Sequence, residues 1–127
     1  MRKARAWFGT FFPTSAEDIT GIIQGEHSAW FRMVTSYWDM AASLVNHDAI
    51  DAAMFNDANG EHVVVFAKLE PFVAEYRTQM QAPQYLHQLE QLVRRLPNSR
   101  ERLAATRERF RQMAAARAGA ASGVRPQ

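Results

Sequence analysis

With 127 residues, 47% of them hydrophobic and 22% charged, the chain has the length of one domain and enough apolar material to build its own core. It holds no cysteine, which excludes disulfide scaffolds, thiolate zinc sites and cysteine nucleophiles. The net charge of +2 hides a division into three parts: residues 1–12 carry three basic side chains and no acid, residues 13–93 carry three basic against eleven acidic, and residues 94–127 carry nine arginines against Glu101 and Glu108. An acidic middle between basic ends can fold back on itself, pair with a second copy, or leave the ends to an acidic partner.

The first segment, Arg2-Lys3-Ala4-Arg5-Ala6-Trp7-Phe8 with Phe11 and Phe12 behind it, mixes cations with aromatics. Its apolar part is too short and too aromatic for a signal peptide, and no run elsewhere approaches the ~20 apolar residues of a membrane span. A cytoplasmic protein is expected. The segment suits an interfacial anchor or a terminal helix docked on the domain; docking is preferred because lysine and arginine stems lie readily along apolar surfaces.

Pro13 breaks this segment, and Ser15 followed by Asp18 resembles a capping box opening a short helix over residues 16–24. Trp30, Met33, Val34, Tyr37, Trp38, Ala41, Leu44 and Val45 recur at helical spacing and predict a long helix over 28–46, read as the centre of the fold. After a turn at His47-Asp48 a short helix is expected over 49–55, then a loop over 56–60. Val63-Val64-Val65-Phe66 looks like a strand. Continued through Leu69, Phe72, Val73, Tyr76 and Met80, however, the period is helical, with a kink or restart at Pro71. Pro83 opens a further helix with Tyr85, Leu86, Leu89, Leu92, Val93 and Leu96 on its apolar face. Asn98 is expected to cap a last helix, with Glu101 three residues on completing a box-like pattern, and the seam of that helix, Leu103, Thr106, Phe110 and Met113, is narrow. These elements make an all-α fold, an irregular bundle of five to six helices without a sheet: one domain over 1–117 and a flexible tail over 118–127. The expected core is Trp30, Met33, Val34, Tyr37, Trp38, Ala41, Phe66, Leu69, Val73, Tyr76, Leu89 and Leu92. The echo of Gly25-Glu26-His27 and Phe31 in Gly60-Glu61-His62 and Phe66 is too short to be a repeat.

No catalytic constellation emerges. Glu-x-x-His pairs for a di-iron bundle, His-Glu-x-x-His, a Gly-x-Ser-x-Gly elbow and a phosphate-binding glycine loop are all missing from the sequence. His27, His47, His62 and His87 fall mostly near predicted helix ends. The reading therefore leans away from an enzyme, with no catalytic residue, metal ligand or cofactor assigned. A helical-bundle enzyme or metal protein remains the alternative, with His47, Asp51, Glu61 and His62 the residues to inspect. The stronger feature is the arginine-rich last helix. A helix with so thin a seam is weakly held by its own domain, so Arg100, Arg102, Arg107, Arg109, Phe110, Arg111 and Met113 are the expected partner-binding residues. A non-enzymatic interaction protein that forms a homodimer or binds another protein is preferred. RNA or a ribosomal surface is the alternative partner, since these arginines can grip phosphates although no stacking platform accompanies them.

The stretch Trp30-Phe31-Arg32-Met33-Val34, Tyr37-Trp38-Asp39-Met40-Ala41-Ala42, Gly60-Glu61 and Phe66-Ala67-Lys68-Leu69 with Pro71-Phe72 resembles a domain-of-unknown-function family of small, uncharacterised, helical bacterial proteins. The resemblance extends over most of residues 2–117 and implies a fold of short helices, with no activity or cofactor to carry over. Similar chains continue upstream of the Arg-Lys-Ala-Arg segment, so Trp7 or Phe8 is expected to be partly uncovered.

Overall fold

A computed structural model describes residues 1–123 and the side chains of residues 1–120. The described residues form seven α-helices and no strand: α1 (Arg2–Thr10), α2 (Ala16–Ile23), α3 (Ser28–Asn46), α4 (Ala52–Ala58), α5 (Glu61–Gln79), α6 (His87–Arg94) and α7 (Ser99–Gly123). The count exceeds the expected five to six because the aromatic-basic N-terminus is a helix of its own. Helix α7 continues through residues 118–123, where a flexible tail was expected to begin; residues 124–127 lie outside the described part.

The helix ends follow local chemistry. Ser15 caps α2 by accepting from the Asp18 amide at 3.3 Å, while the Asp18 carboxylate accepts from the Thr14 amide at 2.8 Å. That backbone hydrogen bond holds the Asp18 pKa below its ordinary value. Asp51 caps α4 through the Met54 amide at 2.9 Å, which moves the start of this helix to Ala52 and carries it over the expected loop to Ala58. The helix expected from Pro83 begins only at His87. Leu86 stands in the left-handed region, φ 56°, with its side chain 2% exposed. An aliphatic residue enters that region at a cost of roughly 1–2 kcal/mol, offset here by burial. The first free amides of α6 then find a distant cap, the Asp39 carboxylate on α3, which accepts from Leu89 N–H at 2.9 Å.

Helices α2 and α6 each pack against both α3 and α5. Helix α1 packs on α3, and α7 packs on α5 and α6. The most enclosed helix is α5, not the expected α3: the run Val65-Phe66-Ala67-Lys68-Leu69 is buried all round. Within that run Lys68 is the one polar residue, so no polar face interrupts it. On α3 the buried stripe is Phe31, Val34, Thr35, Trp38, Ala41, Ala42 and Val45. Of the expected core, Val34, Trp38, Ala41, Phe66, Leu69, Val73, Tyr76, Leu89 and Leu92 are buried; Trp30 is half-buried, and Met33 and Tyr37 are exposed. Phe8 is covered and Trp7 half-covered, stacked between Phe11 and His27 at centroid distances of 5.3 and 5.0 Å, so α1 docks on the domain.

Proline 71 interrupts nothing: α5 runs through it as one helix. The carbonyl it orphans, that of the fully buried Ala67, accepts instead from the Arg107 guanidinium of α7 at 3.3 Å, and the same nitrogen donates to Glu70 at 2.6 Å. An unsatisfied buried carbonyl costs about 1–3 kcal/mol. Arg107→Met is therefore expected to destabilise by about 2 kcal/mol, and by clearly less in a Pro71→Ala background, where the backbone N–H supplies the missing bond. Urea unfolding of the four-member cycle checks this; equal losses in both backgrounds would refute the coupling.

Candidate interaction surfaces

The basic ends fold back on the acidic middle. Arg5 of α1 grips Glu61 with Nη2 at 2.6 Å, Arg94 reaches Glu70 at 3.1 Å and Glu90 at 2.9 Å, Arg77 pairs with Glu90 at 3.0 Å, and Arg107 pairs with Glu70. Glu61 also accepts from Trp38 Nε1–H at 2.9 Å and so joins α1, α3 and α5.

The expected partner-binding residues of α7 do not form one surface. Leu103 and Thr106 of its seam are buried against the domain. Phe110 is half-buried, 6.0 Å from Phe12 between ring centroids, and together with Arg107 and Arg111 it lines a cavity between the α1–α2 turn, α5 and α7. Arg100, Arg102 and Arg109 are exposed, Arg102 and Arg109 on the side of α7 away from Arg107 and Arg111, and none of the three makes an ion pair among the described residues. Met113 is 44% exposed, beyond the packed part of the seam.

The four residues singled out for metal or acid–base chemistry have separate, local partners. His47 closes α3, its Nδ1 2.9 Å from the Ser43 carbonyl. Asp51 caps α4 and Glu61 holds Arg5 and Trp38. His62 is buried beneath Trp38 and Phe55 and its Nε2–H donates to Asn56 Oδ1 at 2.9 Å. Burial, with Arg102 adding to it, pushes the His62 imidazolium down to about 4. Among the described residues no three His, Asp or Glu side chains gather into a metal-holding group.

One surface was hidden in the sequence by its own hydrophobicity. Met33, Tyr37, Met40 and Leu44 are 42, 46, 51 and 42% exposed, and they follow one another along α3 at steps of four, three and four. That is the spacing of the apolar seam of a coiled coil. Ala29, Ser36 and Ser43 run beside it and keep its edge low. The helix carries only two formal charges, Arg32 and Asp39, and Asp39 is turned to α6. Helix α3 is apolar around most of its circumference, so periodicity alone could not tell the buried stripe from this outer one.

No helix of the described residues is long and apolar enough to cross a membrane. Comparison with curated proteins and with solved structures finds no match. The family described as domain of unknown function (DUF4760) matches residues 1–96, that is α1 to α6 and the whole α3 face, with α7 outside the matched stretch. The chain belongs to that DUF4760 family.

Proposed function

We propose that this protein is a non-enzymatic, cytoplasmic interaction module that acts as a homodimer joined along α3. The observation that carries the reading is the uncharged line Met33, Tyr37, Met40, Leu44, in which four large apolar side chains each stand more than 40% exposed. Such a line mates well with itself. In an antiparallel, two-fold arrangement Met33 meets the partner's Leu44 and Tyr37 meets the partner's Met40, the isologous geometry of the commonest soluble oligomers. The antiparallel arrangement also sets the two helix dipoles side by side in opposite directions, which is favourable. The seam of α7, by contrast, is largely consumed inside the chain through Leu103 and Thr106. The lack of cysteine fits the reducing cytoplasm.

Because the chain has no cysteine of its own, a single thiol reports its own neighbours. Met40→Cys is expected to give a covalent dimer in high yield with a short bis-maleimide. Met80→Cys, equally exposed at the end of α5, is expected to give none. Equal cross-linking at both positions, or none at Met40, would contradict the α3 interface. RNA retained by the purified protein and lost when Arg100, Arg102 and Arg109 are changed to alanine would instead favour a nucleic-acid role for α7.

A further inference from the structure

The cavity between the α1–α2 turn, α5 and α7 has a volume of about 330 Å³, within the range of small-ligand sites. Phe12, Phe72 and Phe110 supply apolar walls, and Lys68, Arg107 and Arg111 supply cations. The decisive group is Lys68, only 5% exposed. Its ammonium lies 4.7 Å from the ring centroid of Phe110, 4.8 Å from that of Phe12 and 5.0 Å from that of Phe8. It donates one hydrogen bond, to the Phe8 carbonyl at 2.8 Å, and among the described residues no carboxylate pairs with it.

A buried ammonium without a counter-charge is costly. Three aromatic faces and one carbonyl offset only part of that cost, and two of the three N–H donors remain unspent. Of the cations around Lys68, Arg107 is answered by Glu70 and Arg111 by Glu108 on its own helix, whereas Arg117, 6.0 Å from the Phe12 ring centroid, makes no ion pair among the described residues. The charge missing beside Lys68 is thus negative, and it faces apolar walls. Burial, reinforced by Arg117, holds the Lys68 pKa down to about 8, and the group is still charged at neutral pH. Capping the last turn of α1 through Phe8 needs one N–H and no cavity, so that structural role leaves the rest of the arrangement unexplained.

We propose that the cavity binds a small organic anion, a monocarboxylate on a flat apolar body, with the carboxylate on Lys68 and the body between Phe12, Phe72 and Phe110. A phosphate dianion fits poorly, because the walls offer it aromatic faces in place of the several donors it needs. The site is independent of the α3 interface and includes α7 residues outside the stretch matched by the family.

Titration of the full chain with benzoate, followed by amide nuclear magnetic resonance, tests the assignment. Saturable shifts are expected at Thr14, Lys68, Phe72 and Phe110, with neutral benzamide and inorganic phosphate each at least tenfold weaker. Lys68→Met, which keeps the volume and removes the charge, is expected to lose at least tenfold in benzoate affinity. Phe72→Trp, which narrows the cavity and leaves Lys68 in place, is expected to lose it as well and serves if the lysine variant does not fold. Absence of saturable benzoate shifts would overturn the proposal. So would shifts centred elsewhere, benzamide or phosphate binding as well as benzoate, or benzoate affinity unchanged in a folded variant.

Discussion

Trp38→Ala is expected to destabilise the protein by about 3–5 kcal/mol, the usual cost of truncating a fully packed large aromatic residue. Trp38 is 6% exposed and sits where α3, α4 and α5 meet, its ring 4.9 Å from Tyr37, 5.9 Å from His62 and 6.3 Å from Phe55. Its indole N–H also donates to Glu61, the carboxylate that holds Arg5 and thereby α1. Truncation leaves a cavity and weakens the tie to α1 at once. Trp38→Phe keeps most of the packing and removes the hydrogen bond, so it is expected to cost about 1–3 kcal/mol. Chemical denaturation measures both. A loss below about 1.5 kcal/mol for the alanine variant would mean that Trp38 does not fill the junction. Against a total stability of roughly 5–15 kcal/mol, the larger loss is enough to unfold a substantial fraction of the protein on mild heating.

The second large effect is one of pH. Burial places the His62 pKa at about 4 in the folded protein against an ordinary 6.5. Between those two values the unfolded chain binds more protons than the folded one, so stability rises with pH across that window. The His62 contribution is complete above about 6.5, is lost progressively as the pH falls toward 4, and changes no further below that. A shift of that size corresponds to about 3 kcal/mol. His62→Gln retains an amide N–H able to reach Asn56 and cannot take up the proton. Its stability is expected to fall much less between pH 6.5 and 4 than that of the parent. Identical pH slopes in parent and variant, from urea unfolding at several pH values, would show that His62 is not the titrating group.

Helix existence was legible where propensity, caps and periodicity agreed. Ser15 with Asp18 marked the start of α2, and the extended window beyond Val63 outvoted its strand-like composition. Boundaries failed where a distant residue decided them. Leu89 N–H is capped by Asp39, fifty positions away in sequence, so the start of α6 could not be read from Pro83 and its neighbours. The same applies to α5: Pro71 predicts a kink or a restart when its own helix is considered alone, yet the helix does not restart, and the guanidinium that satisfies Ala67 arrives from α7. Lys68 looked like one of three cations in an acidic stretch. Nothing local announces that it is buried, because its three rings come from α1, the following turn and α7. On α3 the pattern correctly marked Val34, Trp38, Ala41 and Val45. It wrongly added Met33, Tyr37 and Leu44, because apolar residues surround the helix and the packing of α1 and α6 selects which of them are covered. That misassignment is itself informative: an apolar residue at helical spacing which the domain does not bury is available to a second molecule.

The central claim, a two-fold dimer through α3, is tested most directly by sedimentation equilibrium of the nuclease-treated protein at tens of micromolar, beside its Met40→Glu variant. The chain mass is 14.4 kDa. The parent is expected to sediment at twice that mass. The variant, which sets a carboxylate at the middle of the apolar seam with no partner to pair it, is expected to sediment as a monomer of unchanged helicity and melting behaviour at low concentration. A parent that remains monomeric throughout, or a Met40→Glu variant that dimerises as well as the parent, would contradict the account.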